Sequence, residues 1–473
     1  MPLKVLFVLP DVRPELHIHN GSIFEGVAYL SSFLKEEGHT IIKYQPTKSV
    51  SATPLLALIE DENPDLVCFS ATTNMFKYVS RWAPEIKKAY PDIITVCGGV
   101  HATSDTEGTI QTEGIDIACK GEGEFPLREL CRRMETGESY HDIPSLWVKG
   151  KDEIVRNPVA PLPYVDQDYP LDAYPFPDLD LFEIENTFYY KNRFAVMKLS
   201  RGCPLPCTYC CNKMFRDQYP ASYVRYMSPE KSIEFIKTYL QRYPGIESIA
   251  FLDDILPMRM DWFREFIRLY IREIGIPYTA RCLVNIVRPE VVQLLAESGC
   301  YEVTFGVEAG GEDYRYEMLK RRQTDDRIIE AFQLCHEYGI TTRANMMVGL
   351  PKEGILEMVQ GIRLCSKLNV KFFIVSTFFP TPATELYKVC VDEGYIREGT
   401  MEDIPDSPYN MGSALRQPSV SVDEVEFIRR YFSVLVRLFE RLPQGLHDGL
   451  ENLLCAKWLP HRLLIVASSV YEF

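Results

Sequence analysis

Residues 194–213, "FAVMKLSRGCPLPCTYCCNK", run an apolar segment straight into four cysteines spread over nine positions. The opening of this stretch has the character of a buried strand. The glycine and two prolines that follow cannot extend it, so the cysteines occupy a loop at the strand's carboxyl end. Thiolates are soft donors that select zinc, copper or iron–sulfur clusters. A structural zinc needs a fourth ligand at comparable spacing, usually a second Cys-x-x-Cys or a histidine pair downstream. Neither is present, since His141 lies far upstream and His336 sits in a helical pattern. The spacing is Cys203-x-x-x-Cys207-x-x-Cys210. Three thiolates hold three irons of a [4Fe–4S] cube that needs four to close, and the open iron is left to an outside ligand, as at a catalytic metal. Cys211 follows a ligand directly and is expected to point away from the cube, because consecutive residues rarely aim at one site.

The strand before the cysteines opens a regular alternation. "FAVMKLS", "SIAFLDD", "YTARCLVN", "YEVTFGVEA", "TTRANMMVGLP" and "KFFIVSTFFP" read as strands, and segments such as "PEKSIEFIKTYLQRY" and "MDWFREFIRLYIREI" between them have helical spacing. Six strand–helix units predict a partial parallel (β/α)6 barrel over 191–390, whose active residues gather at the strand carboxyl ends. Upstream, "KVLFVLP", "HTIIKYQ", "DLVCFSA", "IITVCGG" and "IDIACKG" are apolar throughout and are separated by helical patterns. Such strands belong to a parallel sheet covered on both faces, so residues 1–150 are expected to form a doubly wound, Rossmann-like α/β domain of five strands. Ligands of these sheets bind at the strand carboxyl ends, which carry "SATTN" (70–74), "GGVHAT" (98–103) and "KGEGE" (120–124). The proline-rich stretch within 151–190 is a linker or an extended wrap. Residues 391–473 are irregular and then helical, with an apolar stripe in "VEFIRRYFSVLVRLFERL" that suits packing on the barrel or a lid.

Composition narrows the classes. The chain has 473 residues and a formal net charge of −15, so its surface repels polyanions and nucleic acid is not expected as a partner. No run reaches the roughly 18 apolar residues of a membrane helix, and the start "MPLKVLFVLPDVRPE" lacks a small-residue cleavage site. The ten cysteines outside the cluster are scattered singly, mostly in apolar runs, as small buried residues in a reducing compartment would be. A cytoplasmic location is expected.

With its three-cysteine spacing, the aromatic Tyr209 before the last cysteine and the loop's place after the first barrel strand, the sequence resembles the radical S-adenosylmethionine (SAM) superfamily. The resemblance implies that SAM chelates the open iron and is reductively cleaved to methionine and a 5′-deoxyadenosyl radical, with an external donor of flavodoxin or ferredoxin type supplying the electron. It extends along the barrel. "FLDDI" (251–255) resembles the second-strand acidic end, implying that Asp253, or less directly Asp254, contacts the SAM amino group. "FGVEAGGEDYRYEMLKR" (305–321) resembles the fourth-strand motif, with Glu308 on the ribose. "MMVGLPKE" (346–353), with Val348, resembles the motif against adenine, and "FFPTPATELY" (378–387) resembles the sixth-strand end, with Ala383 where glycine is commoner. Arg281 and Arg343, near strand ends, could pair with the SAM carboxylate or be solvated charges.

A doubly wound domain ahead of such a barrel is similar to the cobalamin-binding class of that superfamily, which includes methylases of unactivated carbon or phosphorus and an anaerobic tetrapyrrole cyclase. The resemblance covers about residues 1–390. It implies a cobalamin that carries the methyl group, with Ser70, Thr72, Gly98, Gly99, His101 and Glu122 around it. The Asp-x-His-x-x-Gly motif of histidine-ligated cobalamin proteins is absent, and the nearest text is "ELHIHNGS", with His17 and His19. The expected activity is methylation of a small-molecule or lipid-like substrate. The alternatives are a radical cyclase or oxidoreductase, a transfer-RNA methylthiotransferase, and a non-catalytic corrinoid-binding protein. The methylthiotransferase would call for a second three-cysteine set and a basic RNA-binding module, and the non-catalytic protein would have no use for an intact cluster motif.

Overall fold

The computed structural model describes residues 1–12, 21–48, 51–220, 223–396 and 413–456. His17, His19 and the closing segment from 458 onward lie outside them. The chain divides into two compact units. One comprises Met1–Arg193, Met214–Tyr226 and Thr381–Thr384, and the other Phe194–Lys213, Met227–Pro380 and Glu385–Phe473.

The first unit is built on β1 (Lys4–Val8), β2 (Thr40–Tyr44), β3 (Leu66–Ser70), β4 (Ile94–Gly98) and β5 (Ile117–Cys119), parallel and ordered β2-β1-β3-β4-β5. Val5, Leu6, Val8, Leu66 and Val67 are fully buried, as strands covered on both faces must be. These are the five expected strands. Two more, β6 (Leu146–Lys149) and β7 (Ile154–Arg156), join antiparallel at the β5 edge. They are short and linked by a tight turn, in which Gly150 N donates to Glu153 O at 2.8 Å, so they carry too little periodicity to stand out in sequence. The proline-rich stretch wraps on the helix Glu25–Glu36. Ser32 donates to Phe176 O at 2.6 Å, Asp178 N donates to Ala28 O at 3.0 Å, and Tyr174 packs edge-on against Phe33. Helix and wrap thus exchange hydrogen bonds in both directions.

In the second unit, β8 (Phe194–Met197), β9 (Ser248–Phe251), β10 (Tyr278–Cys282), β11 (Cys300–Glu308), β12 (Thr341–Val348) and β13 (Phe372–Thr377) pair in parallel, in chain order, as a six-stranded partial barrel. Alternation decides which side chains meet the helices. Phe251 packs against Phe266 of Met260–Glu273, Phe305 against Phe332 of Asp325–Glu337, and Phe373 against Phe432 of Val422–Arg441. The intervening residues, Arg281, Thr304 and Arg343 among them, turn to the inner face and stay partly open. The helix Val422–Arg441 opens on a capping box, with Ser421 N donating to Glu424 Oε2 at 2.7 Å and Glu424 N to Ser421 Oγ at 3.2 Å. It covers the edge strand β13 with its apolar stripe. Among the described residues no helix is long and apolar enough to cross a membrane.

Candidate functional site

The cysteine loop is fastened at both ends. Asp253, fully buried just past β9, accepts from Leu199 N at 3.0 and 3.2 Å and from the Ser200 hydroxyl. Its carboxylate therefore holds the chain where it leaves β8. Gly202 then turns at φ +91, a conformation that favours glycine. Cys203 is buried among Ile255 and Leu283. Cys210 N donates to Cys207 O at 3.2 Å, closing a tight turn around Thr208 and Tyr209. Thr208 staples that turn, since its hydroxyl donates to Met318 O at 2.5 Å and its carbonyl accepts from Leu386 N at 3.1 Å.

Burial pushes the Cys203 thiol up to about 12 and raises Cys207 as well. The opposing charge is Arg321. Its Nη1 lies 3.5 Å from Cys207 Sγ and 3.4 Å from the Tyr209 hydroxyl, and its Nη2 donates to Gly306 O at 2.8 Å. A guanidinium at this distance favours the thiolate, the form that binds metal. The Cys203, Cys207 and Cys210 thiols sense one another electrostatically. Three neighbouring soft donors with a cation against them fit an iron–sulfur cluster. Cys211 stands beside Cys210. Its thiol hydrogen-bonds that of Cys210, which raises Cys210 and lowers Cys211, because the two stand together where the helix Cys211–Gln218 begins.

Glu308 ends β11 at φ +74, just past a register shift between Gly306 and Glu308. Bulges and left-handed non-glycine residues of this kind concentrate at functional sites. The carboxylate folds back over Gly306, where a Cβ would stand 2.1 Å from Glu308 Oε1. It bonds Tyr209 and faces Arg321, while burial raises its pKa. Fully buried Arg315 holds the following loop. It donates to Ala309 O and Gly310 O, each at 2.8 Å, and to Gln323 O at 3.1 Å, and it pairs with Asp325. Tyr209, Glu308 and Cys207 thus converge on Arg321, a residue that sequence reasoning did not single out. It stands in "KRR" (320–322), where nothing local marks the middle cation as the one turned inward.

The remaining barrel candidates are placed differently. Asp253 is a strut, and it is Asp254 whose charge reaches Cys203, Cys210 and Cys211. Arg281 donates to Leu252 O at 3.3 Å. Arg343 pairs with Glu302 at 2.9 Å, lower on the inner face. Val348 closes β12 buried, next to Gly349 at φ +73.

In the first unit, Ser70 and Gly98 end neighbouring parallel strands and are half-open, and Thr72 stands just before the next helix, its hydroxyl donating to Asn74 Oδ1 at 2.7 Å and not to a helix N–H. A Cβ on Gly98 would meet only Cys119, at 3.7 Å, whereas one on Gly99, at φ +92, would stand 2.9 Å from Ala71 O. This small-residue rim fits a ligand that approaches the backbone closely. Two candidates do not line it openly. His101 is 1% exposed, stacked 3.9 Å from Phe76 with Nδ1 3.3 Å from Thr73 Oγ1, and burial pushes it down to about 4. Glu122 has its carboxylate on buried Arg225.

Residues 197–365 match the radical SAM superfamily and residues 25–131 match the B12 binding domain. An uncharacterized methyltransferase of Pyrococcus horikoshii is 26% identical over 394 residues, covering 82% of this chain and 83% of that one. The anaerobic magnesium-protoporphyrin IX monomethyl ester cyclase of Rubrivivax gelatinosus is 25% identical, covering 92% of this chain and 77% of that one. Among solved structures, the radical S-adenosylmethionine methyltransferase TsrM of Kitasatospora setae, with cobalamin and a [4Fe–4S] cluster bound, superposes with a TM-score of 0.67 at 18% identity, covering 86% of this chain and 78% of that one, and so shares the fold. The cofactors that go with the two matched domains are a [4Fe–4S] cluster with SAM and a cobalamin. The chain is an enzyme of the radical SAM superfamily and belongs to the class whose barrel follows a B12-binding domain.

Proposed function

We propose that the chain transfers a methyl group to an unactivated carbon, or phosphorus, of a small or lipid-like molecule. The observation that carries this reading is a fastened three-thiol loop, with a guanidinium on one thiol, in a chain that also contains a B12-binding domain. When bound, the cluster supplies the electron that cleaves SAM, and cobalamin carries the methyl group. Cys203, Cys207 and Cys210 hold the cluster. Tyr209 and Glu308 orient the nucleoside, Val348 lies against adenine, and Asp254 rather than Asp253 meets the amino group. Arg321 offsets the negative charge of the thiolates and of the SAM carboxylate. Ser70, Thr72, Gly98 and Gly99 line the cobalamin tail, and His101 and Glu122 hold that rim in shape from behind. A flavodoxin- or ferredoxin-type protein would deliver the electron. All fourteen cysteines are unpaired, which suits the reducing cytoplasm.

The test is anaerobic reconstitution with reductant and SAM, followed by mass spectrometry. Formation of 5′-deoxyadenosine together with S-adenosylhomocysteine supports the methylase. If neither 5′-deoxyadenosine nor methionine forms, the radical reading is wrong. The match to the cyclase over 92% of the chain favours a second reading, a radical cyclase. Turnover that gives 5′-deoxyadenosine without S-adenosylhomocysteine would select it.

A further inference from the structure

The inner face of the barrel carries a second polar group, separate from the cysteine loop. Strand register sets Arg281, Thr304 and Arg343 side by side on β10, β11 and β12, with Phe372 next to them on β13. At about 3.3 Å per residue this row lies roughly 13 Å along β11 from Glu308. Arg281 and Arg343 are two strands apart, about 10 Å between backbones, so two guanidinium side chains can reach one anion above Thr304. Arg281 spends one donor on Leu252 O at 3.3 Å and has no carboxylate partner among the described residues. Arg343 is paired with Glu302 through Nη2, yet its Nε is enclosed and has no partner. One step further up β12, Asn345 Oδ1 is likewise enclosed without a partner. Enclosed orphan donors and acceptors are uncommon in native folds and call for a partner, whether a water, an ion or a ligand. The edge of the row is apolar: Phe372 is 61% exposed and Ile374 43%. Both lie on the strand face opposite Phe373, which packs on the helix, and the Phe372 ring lies 6.0 Å from the Arg343 guanidinium.

We infer that this row is the substrate's head-group site. Arg281 and Arg343 clamp a carboxylate or a phosphate-type anion above Thr304, Asn345 accepts a hydrogen bond from the same molecule, and the substrate's apolar body lies on Phe372 and Ile374. In a chain of net charge −15, a cationic row on the inner face selects anions locally. The inference deepens the proposed function by naming the substrate class, and it rests on that reading for the placement of SAM above the row.

The test is an anaerobic ligand-observed NMR titration of the reconstituted enzyme with hexanoate, hexylphosphonate, hexanol and hexylamine. Hexanoate or hexylphosphonate is expected to bind at least about tenfold more tightly than the other two, and the tighter of the pair identifies the head group. Arg281→Gln and Arg343→Gln should each cost about tenfold in anion affinity. Arg281→Lys should recover part of the loss, and SAM affinity should be unchanged throughout. Iron content and melting temperature show whether each variant has folded. Equal binding of hexanol, anion affinity unaffected by both glutamine variants, or a parallel loss of SAM affinity would each overturn the inference. The titration needs no turnover, so it stays readable even if 5′-deoxyadenosine never forms, an outcome that overturns the radical reading instead.

Discussion

Arg321 is the side chain through which the thiol loop and the end of β11 meet, for it touches Cys207, Tyr209 and Gly306 at once. Cluster potentials follow net charge and the hydrogen bonds to sulfur. Arg321→Gln removes a positive charge that stabilises the added electron, so the cluster should still assemble but with a more negative midpoint, read by an EPR-monitored redox titration. The cysteines separate along a different line. Replacing Cys203, Cys207 or Cys210 by alanine should abolish SAM cleavage and lower iron per chain, whereas Cys211→Ala should keep its iron. Although the Cys211 thiol bonds that of Cys210, three thiols at the motif spacing already supply the ligand set. Iron analysis after reconstitution checks both outcomes. The three proposed ligands stand out in sequence because their spacing is local. Arg321 is not, because Lys320 and Arg322 flank it with the same charge and only the folded loop turns the middle one inward.

At the scale of elements, the ends of β11 and β12 are where backbone geometry becomes chemistry. Gly306 leaves room for the Glu308 carboxylate, and the added methyl of Gly306→Ala would also stand 3.2 Å from Arg321 Nη2. The variant should fold, since the atoms nearest the new methyl belong to side chains and not to backbone, but displacing the carboxylate should weaken SAM binding by about tenfold or more, the size of one charge-assisted bond, as equilibrium dialysis would measure. Past β12, Glu353 is 1% exposed and accepts from Leu350 N at 3.0 Å. Burial raises its pKa from 4.5 to about 8. The folded chain then keeps a proton that the unfolded chain releases above pH 4.5, so stability is lost as pH rises from 4.5 through about 8. Glu353→Gln cannot ionise, and its melting temperature should fall less across that window than the parent's. The strands themselves were readable from apolar runs, whereas the β6–β7 hairpin was too short to announce itself. The bulge before Glu308 was also hidden, because a register shift is set by the neighbouring strand and not by the bulged residues alone.

For the whole molecule, two compact units with separate cofactors predict two separable ligand effects on stability. Hydroxocobalamin at about a hundredfold over its Kd should stabilise the unit it binds by about 2.7 kcal/mol. Differential scanning calorimetry of the full chain should show one transition moving with hydroxocobalamin and the other with cluster reconstitution. If both transitions shift together under either ligand, the units unfold as one and the prediction is wrong. The sequence by itself determined two things here: the strand–helix alternation of both sheets, carried by periodicities within a dozen residues, and the three-cysteine motif, carried by spacing within eight positions. Tertiary structure alone decided that Asp253 is a strut while the charge of Asp254 reaches the thiols, that Arg321 rather than Arg343 stands at Cys207, and that Arg281, Thr304 and Arg343 share a row. The reason is distance along the chain. The staple that orients the loop joins Thr208 to Met318, 110 residues apart, and the row is made by strand register, so no local pattern records where those side chains point.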